Sequence, residues 1–107
     1  MIILFLTCAN KKEADKIALT LLKKRLIVCA KSMAVSSSSI WKGKIESARE
    51  ILLIMESHES LFDKIEKEVR KIHSYETFVL LSFPITHTSK GTREWINSSL
   101  INAPDML

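Results

Sequence analysis

The sequence has 107 residues, of which 47% are hydrophobic and 26% are charged. This composition is typical of one globular domain, and the chain is too short to form two separate cores. The formal charge is +4, but Lys and Arg are mixed with Asp and Glu along the chain, which argues against a dedicated nucleic-acid surface. A chain of this size buries only about two thirds of its unfolded surface. We therefore predict a single domain over residues 1–107 that gains stability by self-association.

The cysteines and the first residues predict the compartment. Cys8 and Cys29 stand in apolar segments without regular spacing, which is typical of reduced thiols. The first residues lack the basic lead of a signal peptide. No apolar run approaches the roughly 20 residues that cross a bilayer. We expect a cytoplasmic protein with no direct membrane insertion.

The chain begins with a predicted strand followed by a predicted helix. Residues 2–8 form an apolar run of residues that favour strands. Asn10 is followed three residues later by Glu13, a spacing typical of a capping box at the start of a helix. Apolar residues then recur at helical spacing, which predicts that one face of the helix packs on a core.

A long hairpin is predicted next. The strand pattern that begins near residue 26 continues to Trp41, the Lys42-Gly43 pair supplies a turn, and residues 44–56 return as a second strand. These strands exceed the usual five or six residues, so the tip should project and pair with another chain. The serines at 36–39 fit either this hairpin, where small side chains permit close pairing, or a disordered loop.

The second half of the chain predicts a helix over residues 60–72, a strand over 77–83 that ends at Pro84, and a short helix over 92–100. The element order is therefore βαββαβ with an added C-terminal helix. This order predicts an α+β, ferredoxin-like sandwich in which two helices cover one face of a four-stranded antiparallel sheet.

The residues that common catalytic sites require are missing, which predicts a protein that is not an enzyme. Gly43 and Gly91 stand alone, so the sequence has no glycine-rich phosphate loop. No cysteine and histidine spacing resembles a closed zinc site. The central strands also lack the aromatic residues that stack on RNA bases.

Several side chains could still bind a thiophilic ion such as copper if the fold brought them together. The alternative is that the cysteines and methionines fill the core. These candidate ligands are Cys8, Cys29, Met33, Met55 and His73.

The segment His73-Ser74-Tyr75-Glu76 is the most concentrated polar group, and it lies where a helix is predicted to end and a strand to begin. Such junctions often carry binding sites. His73 could bind a proton or metal, Tyr75 offers a hydroxyl, and Glu76 offers a carboxylate. The alternative is a helix-capping histidine beside a structural tyrosine and a solvated glutamate.

Four motifs in the same order and spacing resemble the CutA divalent-cation-tolerance family over nearly the whole chain. They are Cys29, the segment from Ile40 to Glu46, the segment from His73 to Glu76, and the stretch from Pro84 through Trp95 to Leu100. The resemblance implies a homotrimer with the architecture of PII signalling proteins and a role in the response to divalent metal ions. Copper binding is attributed to some bacterial members and a membrane-enzyme anchoring role to animal members.

The sequence also departs from the family pattern. Where members commonly have His-Pro-Tyr-Glu-x-Pro-Glu, this chain has Ser74 at the first proline, Phe78 at the second, and Val79 at the last glutamate. A cysteine in the first strand of some bacterial members is replaced by Leu6, with Cys8 two residues later on the same face.

The leading hypothesis is a homotrimer that senses or binds a divalent cation or small ligand in clefts between subunits. Trp41, Tyr75 and Glu76 are the predicted ligand-binding residues, and His73 and Cys8 are the predicted metal ligands. No cofactor is required, and copper or another divalent cation is the candidate ion. The alternative hypothesis is a structural trimer that scaffolds other proteins without a metal ligand of its own.

Overall fold

A four-stranded antiparallel sheet with helices on one face forms the protein. The computed structural model describes residues 1–101; the predicted domain also included residues 102–107, which lie outside the described residues. The sheet order β2-β3-β1-β4 agrees with the predicted α+β sandwich. The elements are β1 Ile2–Cys8, α1 Lys11–Lys23, β2 Cys29–Trp41, β3 Lys44–Ser57, a 3-10 turn Glu59–Leu61, α2 Phe62–Ile72, β4 Leu80–Pro84 and α3 Thr92–Ser99.

The first helix begins where the sequence predicts. The Asn10 side chain accepts a hydrogen bond of 2.8 Å from the backbone N–H of Glu13, which satisfies one of the free N–H groups in the first turn. None of the helices within residues 1–101 has the length and apolar character needed to cross a bilayer.

The core lies between the helices and one face of the sheet. Alternate residues of β1 turn toward the helices, as the period of two along a strand requires, and the same face of β3 contributes Leu53 and Met55. Burial of this apolar surface supplies the main driving force for folding. The other buried apolar residues include Ile2, Leu4, Leu6 and Cys8 from β1, Ala14, Ile17 and Leu21 from α1, Ile65 and Val69 from α2, and Ile96 from α3.

The β2–β3 hairpin reaches well past the helices. Its strands have 13 and 14 residues, and the longest dimension of the protein is 46 Å. Lys42 and Gly43 both have positive φ, the backbone conformation that tight hairpin turns require. The serines at 36–39 belong to β2 and pair with β3, so they are not a disordered loop. At the tip, Ile40 and Ile45 are among the most exposed apolar side chains.

The face of the sheet opposite the helices is mostly apolar, apart from charged residues such as the Lys31–Glu56 pair, and we call it the open face. Phe5 of β1 and Phe83 of β4 meet edge to face with ring centroids 5.2 Å apart. Met33, Leu81 and Phe83 are 44–50% exposed. A contiguous apolar surface of this kind is typical of an interaction site.

The last strand starts later than predicted. Residues 77–79 were expected in the strand, but β4 begins at Leu80, which pairs with Leu6. The chain before Leu80 is held away from the sheet because the Phe78 ring stacks on His73, with centroids 5.1 Å apart. Pro84 is the final strand residue, and β4 is an edge strand, a position that tolerates the missing N–H.

Candidate functional site

The predicted polar segment after α2 folds into a compact junction, which we define as residues 73–78. The helix ends because His73 leaves the helical conformation while its backbone N–H still donates to the Val69 carbonyl at 2.8 Å. The junction then passes the end of β1 and the start of α1. It thus meets both elements that flank Ala9 and Asn10.

The His73 imidazole is buried and engaged at both nitrogens. Its Nε2 lies 2.8 Å from the Thr7 carbonyl oxygen, and because a carbonyl only accepts hydrogen bonds, Nε2 carries a proton. Its Nδ1 lies 3.1 Å from the backbone nitrogen of Tyr75 and 3.0 Å from a Glu13 carboxylate oxygen. The neutral ring accepts from Tyr75, and the protonated ring donates to Glu13. A metal must displace one of these partners to bind here.

Glu13 binds the junction to the start of α1. One carboxylate oxygen accepts from the Ser74 backbone N–H at 2.7 Å, and the other accepts from the Ser74 hydroxyl at 2.9 Å and from the Ala9 backbone N–H at 3.3 Å. Burial alone would raise the pKa of Glu13, but the hydrogen bonds from Ser74, the charge of His73 and the hydrogen bond from Ala9 outweigh it and lower the pKa. Glu13 is therefore an ionised link between three segments.

Ser74 explains one departure from the family pattern in physical terms. Both of its hydrogen bonds to Glu13 need a donor, one on the backbone nitrogen and one on the side chain. A proline at this position has neither donor. The serine therefore gives this chain a direct bond between the junction and α1 that a proline could not form.

Tyr75 connects the junction to the hairpin. Its hydroxyl donates to a Glu50 carboxylate oxygen at 2.6 Å, and the Ser37 hydroxyl donates to the other oxygen. Burial, the hydrogen bond to Glu50 and the nearby negative charges raise the pKa of Tyr75, so the phenol keeps its proton. Glu50 belongs to the polar half of β3 and was missed by sequence reasoning, because nothing in the local pattern distinguishes it from its neighbours.

Cys8 lies beside these groups but is fully buried. Burial, followed by the negative charges of Glu13 and Glu50, raises the pKa of the Cys8 thiol to about 12. The thiolate is the form that ligates metals. Cation binding at Cys8 therefore requires loss of a tightly held proton.

The other two predicted site residues are differently placed. Glu76 is exposed and forms no side-chain hydrogen bond or ion pair with another residue of the described part. Trp41 sits at the hairpin tip opposite Lys44. Lys44 is six residues from Glu50 along β3, or about 20 Å at the rise of a strand. Within one chain Trp41 does not line the junction, and a hairpin from another subunit would be needed to bring a tryptophan there.

The predicted soft metal ligands do not assemble within one chain. Cys29 and Met33 lie on the open face, whereas Cys8 and Met55 lie on the helix face. Across residues 1–101, no three His, Cys, Asp or Glu side chains are arranged to hold a metal ion. One described subunit therefore does not supply a closed metal site by itself.

Comparison with known proteins identifies the family. The model for the CutA1 divalent ion tolerance protein matches residues 2–99. The chain belongs to this family. The "Divalent-cation tolerance protein CutA" of Archaeoglobus fulgidus is 32% identical over 97 residues, which cover 91% of this chain and 95% of the relative. Human "Protein CutA" is 30% identical over 104 residues, and the match covers 96% of this chain but only 58% of the human protein.

Solved CutA structures share the fold. The Archaeoglobus fulgidus structure has a TM-score of 0.89 at 32% identity and covers 92% of this chain and 98% of its own. CutA1 from Oryza sativa has a TM-score of 0.90 at 26% identity and covers 94% of each chain. The family predicted from the four sequence motifs is thus confirmed.

Glu13→Gln is expected to weaken the junction in a pH-dependent way. We expect a loss of about 1–3 kcal/mol in the free energy of unfolding near neutral pH, because Gln keeps the size of the side chain but loses the charge that its donors require. The folded-state pKa of Glu13 lies below the ordinary value of 4.5 for a glutamate. Its stabilising contribution is therefore complete above that value and is lost as the pH falls through the lower folded-state pKa.

Urea unfolding of both proteins from neutral to acidic pH, at one protein concentration, measures this difference. It should shrink as the pH falls below 4.5. Glu46→Gln, on the exposed hairpin, is the matched control and should change stability little at any pH. A Glu13→Gln difference that stays constant with pH would contradict the assignment.

Proposed function

We propose that this CutA-family protein is a homotrimer that binds a divalent cation, with each junction facing a cleft between subunits. The observation that carries the proposal is that the Glu50 carboxylate reaches the junction through Tyr75, while Glu13 anchors the junction from the start of α1. Glu13 is occupied by its structural hydrogen bonds, whereas Glu50 has oxygen lone pairs beyond those used by Tyr75 and Ser37. The second carboxylate available to a cation is Glu76, which is exposed on the residue next to Tyr75.

The donor set favours an exchangeable site over a tight one. Carboxylate oxygens from Glu50 and Glu76 suit divalent cations, with further ligands from a neighbouring subunit or from water. Cys8 and His73, which the sequence predicted as metal ligands, are less suited because the thiol is protonated and both imidazole nitrogens have partners. In this proposal His73 and Tyr75 hold the junction in shape, and Trp41 comes from a neighbouring hairpin.

The exposed apolar surfaces support the trimer. The open face displays Met33, Leu81 and Phe83, and the projecting hairpin displays Ile40 and Ile45 at its tip. Burial of these groups against other copies would remove apolar surface from water, which contributes a stabilising free energy of about 25 cal/mol per Å² buried. A homo-oligomer with closed symmetry covers such surfaces on every subunit at once.

We expect light scattering at micromolar concentration to give three times the subunit mass of 12.2 kDa. Phe83→Glu should shift the protein toward the monomer, because it places a charge on the open face where the subunits are proposed to meet. Leu19→Glu, on the exposed side of α1, is the control and should stay trimeric. A monomeric wild type, or a Phe83→Glu variant that is folded by circular dichroism and fully trimeric, would contradict this arrangement.

Cation binding is tested by calorimetric titration with Zn(II) and Cu(II). We expect Glu76→Gln and Glu50→Gln each to weaken binding by about fivefold or more, since each removes one charged ligand. Cys8→Ser should leave the affinity close to that of the wild type, and Glu46→Gln is the control for a remote carboxylate. Loss of binding in Cys8→Ser with no change in Glu76→Gln would reject the carboxylate site.

A structural scaffold trimer is the second candidate. It is favoured by the internal satisfaction of the junction, because His73 and Glu13 are both held by contacts within the chain. In that case the trimer would form normally while the titrations showed no binding that the junction variants alter. The two experiments together therefore separate the two candidates.

We also propose that the protein is not an enzyme and that it acts in the cytoplasm. The first proposal is supported by the state of Cys8, the thiol beside the junction, which is buried with a raised pKa and is therefore a poor nucleophile. The compartment rests on the sequence alone. The names of two related proteins give other compartments: the Archaeoglobus fulgidus structure is called periplasmic, and the Arabidopsis thaliana relative is called chloroplastic.

A further inference from the structure

A groove lies at the opposite end of the helix layer from the junction. Its volume is about 360 Å³, within the range of small-molecule sites. It is beside Lys24, which is 11 residues from Glu13 and therefore about 16 Å away at the rise of a helix. The lining residues are Lys24, Leu26, Lys64, Lys67, Glu68 and Ile101.

The floor of the groove is apolar and is fixed by backbone contacts. After α1, Arg25 adopts a positive φ of 55°, and the Leu26 N–H donates to the Leu21 carbonyl at 2.9 Å. The Ile101 N–H donates to the Arg25 carbonyl at 2.9 Å, which holds the chain after α3 against this turn. Leu26 is buried beneath the groove, whereas Ile101 is 38% exposed, so Ile101 supplies the aliphatic surface that a ligand can reach.

The rim of the groove is positively charged. Glu68 accepts from both Lys24 and Lys71 at 2.9 Å, and these hydrogen bonds lower its pKa, so its charge is already matched by lysines. Lys64 and Lys67 are three residues apart on α2, which places them on one side of the helix. Neither lysine forms an ion pair with another residue in the described range 1–101. Three lysines and one carboxylate line the groove, so its net charge is +2.

We propose that this groove binds a small organic phosphate monoester. The phosphate, a dianion near neutral pH, would sit between Lys64 and Lys67, whose ammonium groups are effective point charges for phosphate. The apolar body of the ligand would cover Ile101. An apolar floor with a few charged groups at one edge is the usual composition of a small-molecule site. The proposal does not depend on cation binding at the junction.

The Ile101 methyl group offers a direct probe. Phenyl phosphate titrated into isoleucine-methyl-labelled protein should shift the Ile101 methyl NMR signal to saturation. In the double variant Lys64→Gln, Lys67→Gln, the dissociation constant should rise by about fivefold or more, as expected when two exposed charge contacts are lost. The matched control Lys12→Gln, Lys16→Gln removes the same charge from α1, where both lysines are exposed, and should leave the constant within about twofold.

Three further ligands test the chemistry. Phenol, which lacks the phosphate, should not saturate the Ile101 signal, and inorganic phosphate, which lacks the apolar body, should bind more weakly than phenyl phosphate. Vesicles of phosphatidylcholine with phosphatidic acid should not co-sediment with the protein. The proposal is overturned if phenyl phosphate leaves the Ile101 signal unchanged, if both double variants bind equally, or if only the vesicles bind.

Discussion

The Glu13 carboxylate is the contact on which the junction depends. It joins Ala9, which lies between β1 and α1, to the segment after α2. The backbone N–H groups of Ala9 and Ser74 donate to it, and His73 contacts it. An ionised group with so little exposure needs several donors to replace water. Because Glu13 has these donors, the charge that would oppose folding instead fixes the path of residues 73–78.

The fixed junction in turn links the helix layer to the hairpin. Tyr75 follows Ser74 directly, and its hydroxyl reaches Glu50 on β3, which Ser37 on β2 also contacts. A chain of hydrogen bonds thus runs from the start of α1 to the root of the projecting strands. Such networks are stabilising when every member is satisfied. In the proposed trimer, the position of the hairpin relative to the junction decides which groups of a neighbouring subunit can reach Glu50 and Glu76.

Local patterns predicted most of the fold. The Asn10 and Glu13 spacing located the start of α1, and the Lys42-Gly43 pair located the hairpin turn, because each reflects hydrogen bonding or backbone geometry within a few residues. The late start of β4 was not predicted. The stacking of Phe78 on His73 sets where β4 begins. The intrinsic strand or helix preference of either residue does not predict this contact.

The candidate site was predictable only in part. His73 and Tyr75 were recognised from their position after a helix, but the partners that define their chemistry come from distant parts of the chain. Glu13 and Ser74 are 61 residues apart in sequence, and Glu50 is 25 residues from Tyr75. A pattern within one segment cannot report such contacts. It also could not show that Trp41, matched by family resemblance, lies at the far end of the hairpin.

Amide hydrogen exchange at Ser74 tests the central role of Glu13 most directly. The Ser74 N–H lies in an exposed loop, so its protection depends on the 2.7 Å bond to the carboxylate. We predict exchange about tenfold faster in Glu13→Gln than in the wild type, with the amide of Ile54 in the central sheet unchanged as an internal reference. Equal Ser74 exchange rates in the two proteins would contradict the account.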